Sequence, residues 1–302
     1  MSGSILSGKP KFKGSMTALI TPFKNGKLDE EAFKKLIDNQ INEGTDGLIP
    51  VGTTGESPTL SHEEHEKVVE MCVNQTSGRI PVIAGSGSNS TEEASKLASH
   101  AAKAGADAVL VVSPYYNKPT QSGLYYHFMK VADSAKIPLI VYDIPGRSIV
   151  KVSDETLVKL SENHEMIVGI KDATADLSRP PRLINLIGSG YSQLSGEDAT
   201  ALPYLASGGH GCISVTSNIA PGILAKMHNA WNSHDFKSAF DIHLKMIDLH
   251  DALFCESSPG PVKYAAKILN ICESSTRLPL CEISNESKLK VENALKKLSL
   301  IK

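Results

Sequence analysis

Apolar residues in this chain come in short, nearly continuous runs separated by longer amphipathic stretches. The runs are MTALITPF from Met16, DGLIPVG from Asp46, IPVIAGSG from Ile80, DAVLVVSPYY from Asp107, IPLIVYDIP from Ile137, MIVGIKDA from Met166, YSQLSGED from Tyr191 and GCISVTSN from Gly211. A strand covered on both faces is apolar throughout, whereas a half-exposed one alternates, so this pattern predicts a parallel sheet. Stretches such as DEEAFKKLIDNQINEG and TEEASKLASHAAKAG lie between the runs. Each opens on acidic or hydroxyl residues, carries apolar positions at three-to-four spacing and closes on glycine, the pattern of a capped amphipathic helix.

Eight β-then-α units predict an α/β chain of the (β/α)8 TIM-barrel class rather than a doubly wound sheet. The strand-like runs stop after APGILAKMHNAWNSHDF, and the remainder reads as helices. The organisation predicted is a short flexible extension over residues 1–14, a barrel over 15–231 and a C-terminal helical region over 232–302.

Composition mainly excludes. A net charge of −2 over 302 residues gives no basic footprint for nucleic acid. No run approaches the ~18 apolar residues of a membrane span, and the first residues lack the apolar core of a signal peptide. Five scattered cysteines form neither a C-x-x-C pair nor a disulfide framework. Reduced thiols in a cytoplasmic protein are the expectation.

In a barrel of this class the chemistry gathers where strands end and loops begin. Those positions hold Thr17 and Thr21, the GTTGES turn, SGSNS, SPYYNKP, YDIPGRS, Lys171 with Asp172, SGED and SVTSN. The set is rich in hydroxyls and contains one well-placed lysine. Lys171 ends an apolar run, and enclosing an ammonium is costly unless it loses its proton or gains a partner. A neutral amine there would condense with a ketone or aldehyde to an iminium; the alternative is a strand-end ion pair with Asp172 or another carboxylate.

The turn over residues 51–57 offers hydroxyls and backbone N–H groups as a cradle for a carboxylate. Tyr116 and Tyr142 could move protons or simply pack a rim. Arg147 could fork onto a substrate carboxylate or form a surface salt bridge. AGSGSNS fails the dinucleotide-binding spacing, and His62 and His65 stand three apart rather than four, so neither a nucleotide nor zinc is expected.

GTTGES, SPYYNKP, YDIPGR, GIKDA, LSGED and GHGCISVTSN occur in that order, each at a strand end. Together they closely resemble the 4-hydroxy-tetrahydrodipicolinate synthase (dihydrodipicolinate synthase) family over essentially the whole chain. The resemblance implies that Lys171 forms a Schiff base with pyruvate, with no cofactor beyond that imine. It implies a proton relay of Thr53, Tyr142 and a Tyr116 contributed by a neighbouring subunit. Thr54 would hold the pyruvate carboxylate, Arg147 the second substrate L-aspartate 4-semialdehyde, and Gly196 and Ile213 would add backbone groups. N-acetylneuraminate lyases and sugar-acid aldolases share the lysine, but Arg147 and the paired threonines favour the synthase. A sensor barrel with a silent site is the alternative from another class.

Many relatives have Asn where this chain has Asp143, whose side chain should alternate away from Tyr142. Ser57, Pro58, His62, His65, Asn89, Glu93 and Tyr115 match positions that bind feedback-inhibiting L-lysine in bacterial members. Pro58 stands where inhibited enzymes often have Ala. Family members are usually tetramers, built as dimers of dimers.

Overall fold

The structure is a computed structural model that describes residues 8–302. Seven of the eight runs contain a strand and the first overlaps one that starts two residues earlier: β1 Gly14–Ala18, β2 Gly47–Ile49, β3 Ile83–Gly85, β4 Ala108–Val112, β5 Leu139–Asp143, β6 Ile167–Asp172, β7 Ser192–Ser195 and β8 Gly211–Ser214. They form one sheet in the order β2-β1-β8-β7-β6-β5-β4-β3, with a helix after every strand. This is the (β/α)8 fold that the run pattern predicts. The strands are almost wholly buried, as continuous apolar runs require. The run pattern does not reveal a small antiparallel hairpin, Phe23–Lys24 with Lys27–Leu28, whose strands are too short to carry a period.

By packing the chain divides into two compact units, one built on residues 81–213 and the other on 14–80 with 214–302. The first unit carries β3 to β7 and most of β8. Residues 1–7 of the expected flexible extension lie outside the described residues. The end of that extension is packed rather than free: Phe12 is buried, and its N–H donates to Ser192 Oγ at 3.1 Å.

Helix Gln121–Ala135 buries His127 in the first unit, where its Nδ1 lies 2.9 Å from Thr91 Oγ1. Burial pushes the imidazole down from 6.5 to about 4. Between those values the unfolded chain binds the proton and the folded one does not, so stability falls as pH falls through this window. A proton affinity lowered tenfold is worth about 1.4 kcal/mol, which puts the whole loss at about 3 kcal/mol. Denaturant titrations at pH 7 and pH 4 should show His127→Asn losing about 3 kcal/mol less than the parent across the interval; equal losses in both proteins refute the assignment.

The second unit carries β1, β2 and the C-terminal helices Phe236–Ala252, Gly260–Ile268 and Asn285–Lys297. Residues 232–302 carry these three helices, with a non-helical stretch over 269–284 before the last, and they pack in one unit with residues 14–80. Asp235 and Ser284 cap the first and last of these helices, accepting from the N–H groups of Ser238 and Ser287. Gln40 gathers this unit's buried polar groups: Thr17 and Thr45 donate to its Oε1 at 2.6 and 2.9 Å, and its Nε2 donates to Ser217 O at 2.7 Å. Among the described residues no helix is long and apolar enough to cross a membrane.

Candidate active site

The first unit holds the lysine. β5 and β6 pair in parallel with Tyr142 opposite Lys171 and Asp143 opposite Asp172. Successive side chains on a strand point to opposite faces, so Tyr142 and Lys171 share one face and the two aspartates the other. Lys171 is 6% exposed, and its Nζ lies 4.2 Å from the centroid of the Tyr142 ring. Asp172 is committed elsewhere: Thr174 donates to its Oδ1 from both N (2.9 Å) and Oγ1 (2.7 Å), and Arg179 Nη1 lies 3.7 Å from its Oδ2. A strand-end ion pair with its sequence neighbour therefore does not account for Lys171.

Gly196 follows β7, and a Cβ there would come within 2.8 Å of Ala173 Cβ and 3.2 Å of Lys171 Cε. Only glycine lets the chain pass this close to the lysine stem. The next residue, Glu197, is half-buried, and its carboxyl is held above the usual range by burial, against the pull of Lys171. Arg147 adds to that pull from the short helix Pro145–Ser148, with its side chain exposed.

Cys212, next to the buried Ile213 on β8, lies within the field of Lys171 and Glu197. Its thiol is pushed well up by burial, which leaves it protonated and a poor nucleophile. The strand-end inventory of motifs passes over Cys212 and offers no role for Glu197. A charged residue beside a glycine that must be glycine is the available signal for the second.

Tyr116 is 86% exposed on a backbone with φ of +73°. A large aromatic held outward on a left-handed backbone is uncommon, and such residues concentrate at functional sites.

The second unit holds the hydroxyl turn. Thr54 is buried and Thr53 half-buried. The turn's left-handed positions fall on Val51 and Glu56 rather than on its glycines. Gly55 serves close approach instead, since a Cβ would meet Val51 Cα at 3.0 Å and Leu19 O at 3.1 Å. Thr21 Oγ1 donates to Gly55 O at 2.7 Å, so Thr21, like Thr17, supports structure rather than lining a site. Gly55, Glu56 and Ser57 spend their N–H groups on carbonyls of Gly52 and Thr53. An anion held by this turn is left with the N–H groups of Gly52, Thr53 and Thr54 and the two threonine hydroxyls, a smaller cradle than the motif suggests.

Glu56 anchors the turn. Its carboxylate accepts from Lys263 Nζ at 2.5 Å and from Arg277 N at 3.0 Å. Lys263 also donates to Ser275 O at 2.7 Å, and Phe23 packs against both cations, 4.1 Å from Lys263 Nζ and 4.4 Å from Arg277 Cζ.

The expected effector residues fall into two groups. In the second unit Ser57 and Pro58 open a short 3-10 turn, and His62 and the buried His65 occupy the first turns of helix His62–Thr76. In the first unit Glu93 takes a hydrogen bond from Ser88, and Tyr115 is raised first by burial and then by the Glu93 charge. Asn89 also contacts Tyr115 through its backbone and accepts from Asn117 Nδ2 at 2.8 Å. Among the described residues no group of three or more His, Cys, Asp or Glu side chains is placed to hold a metal ion.

Residues 11–298 match the model of the dihydrodipicolinate synthetase family. The 4-hydroxy-tetrahydrodipicolinate synthase of Bradyrhizobium diazoefficiens is 53% identical over 296 residues, covering 98% of this chain and 100% of its own. The chloride-inhibited dihydrodipicolinate synthase of Acinetobacter baumannii, solved in complex with pyruvate, is 42% identical with a TM-score of 0.92, over 96% of this chain and 99% of its own. The enzyme of Cyanidioschyzon merolae, solved with lysine bound, is 36% identical with a TM-score of 0.94, over 97% and 100% of the two chains. On a match that spans nearly its whole length, with an enclosed lysine facing a tyrosine across adjacent parallel strands, the chain belongs to the dihydrodipicolinate synthetase family.

Proposed function

We propose that this chain is a lyase that condenses pyruvate with L-aspartate 4-semialdehyde, the 4-hydroxy-tetrahydrodipicolinate synthase reaction on the diaminopimelate route to lysine. The observation that carries the reading is Lys171: enclosed, in register with Tyr142, and 4.2 Å from its ring. The Lys171 amine attacks the pyruvate ketone, water leaves, and the iminium draws a proton off the methyl group to give an enamine. The enamine carbon attacks the aldehyde carbon of the semialdehyde. The substrate amine then displaces Lys171 and closes the ring, so the enzyme is regenerated without a cofactor.

Thr53, Tyr142 and Tyr116 carry the protons, Thr54 binds the pyruvate carboxylate, Arg147 that of the semialdehyde, and Gly196 and Ile213 supply backbone groups. The outward, strained Tyr116 supports its reaching a neighbouring subunit, and the assembly we propose is a homotetramer of two dimers working in the cytoplasm. The free cysteines suit a reducing compartment.

L-lysine acts as a feedback inhibitor through Ser57, Pro58, His62, His65, Asn89, Glu93 and Tyr115. The lysine-bound relative supports this reading, as does the approach of Glu93 and Asn89 to Tyr115, the residue next to Tyr116. One experiment tests both parts: pyruvate consumption by the purified protein as the semialdehyde and L-lysine are varied. Consumption should require the semialdehyde and fall partially with lysine. Turnover with N-acetylneuraminate instead would refute the substrate assignment, and a flat response through millimolar lysine the regulatory one.

A further inference from the structure

We propose that Arg179 is a positioning residue for Lys171 and Tyr142, a clamp that sets the spacing of the two strand ends from which those side chains project. The inference rests on the Schiff-base reading of Lys171. Arg179 opens the helix Arg179–Leu186 that follows β6, and it is fully buried. Its Nη1 donates to Asp143 Oδ2 at 2.7 Å and lies 3.7 Å from Asp172 Oδ2. Its Nη2 donates to Val152 O at 2.6 Å and its Nε to Asp154 Oδ1 at 2.9 Å.

The two carboxylates on Nη1 are the residues directly after Tyr142 and Lys171, and they are themselves opposite each other in the β5–β6 register. One planar guanidinium therefore hydrogen-bonds the end of one strand and pairs by charge alone, at 3.7 Å, with the end of the other, on the face opposite the reactive pair. The backbone ladder continues only to Ala173 N donating to Asp143 O and Gly196 N to Asp172 O, at 2.9 and 2.7 Å. Beyond it, the strand ends are held by side chains. Val152 N donates to Asp143 Oδ1 at 3.2 Å and Thr174 N to Asp172 Oδ1 at 2.9 Å, so each carboxylate is tied on its second oxygen and has one setting toward the arginine.

The choice of arginine follows from this geometry. A guanidinium presents its donors in a rigid fork, whereas an ammonium is a point charge on a flexible stem. Lysine at 179 could neutralise one aspartate but could not also reach Asp154 and the Val152 carbonyl from a fixed plane. The positions of Lys171 and Tyr142 would then loosen while their chemistry stayed intact, and misplacement by about 1 Å can cost on the order of 10²-fold in rate.

The test compares the full-length protein with Arg179→Lys and with Asp143→Ala, which removes one arm of the clamp. Two rates are measured per folded molecule, with the folded fraction taken from circular dichroism: borohydride trapping of the pyruvyl adduct by intact mass, and deuterium exchange into the pyruvate methyl group by NMR in D2O. Both should fall roughly 10- to 100-fold in each variant, with the pyruvate KM within about threefold of the parent. A merely structural role would lower the amount of folded protein and leave the rates per folded molecule alone. Either variant, folded, with both rates within about twofold of the parent overturns the clamp; Asp143→Ala decides if Arg179→Lys does not fold. A parent protein that forms no adduct overturns the Schiff-base reading, and the clamp with it.

Discussion

Lys171→Ala is expected to abolish the pyruvyl adduct and to lower condensation by roughly 10⁴-fold or more, because it removes the covalent nucleophile. The expectation is specific to this lysine. Two lysines are buried in the described chain, Lys171 and Lys263. Lys263 is committed as a cation to Glu56 and to Ser275 O, both within hydrogen-bond distance. Lys171 has an aromatic face at 4.2 Å and a neighbouring aspartate bound to other donors. Intact-mass analysis after incubation with pyruvate and borohydride should show one adduct on the parent and none on the variant. Lys171→Ala should leave the melting temperature near that of the parent. An adduct that persists in folded Lys171→Ala places the chemistry on another residue and defeats the mechanism.

The largest expected effect on stability lies in the other unit. Glu56 and Lys263 side chains are both fully inaccessible and 2.5 Å apart. Burial pushes the Lys263 amine down while Glu56 pulls it up, so the cation depends on its partner. Lys263→Met would strand the Glu56 carboxylate in the interior, a loss of about 3–5 kcal/mol for breaking one side of a buried pair. Adding Glu56→Gln should recover a good part of this loss, because the uncompensated charge disappears. Denaturant unfolding of the parent, the single and the double variant measures all three stabilities. A single variant within about 1 kcal/mol of the parent would mean that the pair contributes no more than an exposed one. Glu56 closes the turn of Thr53 and Thr54, so the single variant should also lose condensation activity beyond its loss of folded protein.

The position of Asp143 shows how a sequence departure resolves. The family resemblance leads one to expect Asn there, and β alternation alone turns the side chain away from Tyr142. It meets Arg179, and burial holds its carboxyl above the ordinary range against that arginine's pull. The Asp143 charge is taken up by Arg179, on the face of the strands opposite Tyr142 and Lys171.

Much of this was legible in the chain itself. Continuous apolar runs mark buried parallel strands because both faces of such strands are covered, and all eight lie where the runs are. The placement of Lys171 and Tyr142 side by side near the ends of adjacent strands, where the chemistry of this fold gathers, was likewise readable. The inner workings of the GTTGES turn were not. Its left-handed residues are Val51 and Glu56 rather than glycines, and the N–H groups of Gly55, Glu56 and Ser57 are consumed internally. Nor were the partners that hold the site: Arg179 finds Asp143 36 positions away, and Lys263 finds Glu56 207 positions away. Periodicity and motifs report interactions that repeat within a few residues. A buried charge must find its counter-ion wherever the folded chain brings one, and that choice belongs to tertiary structure alone.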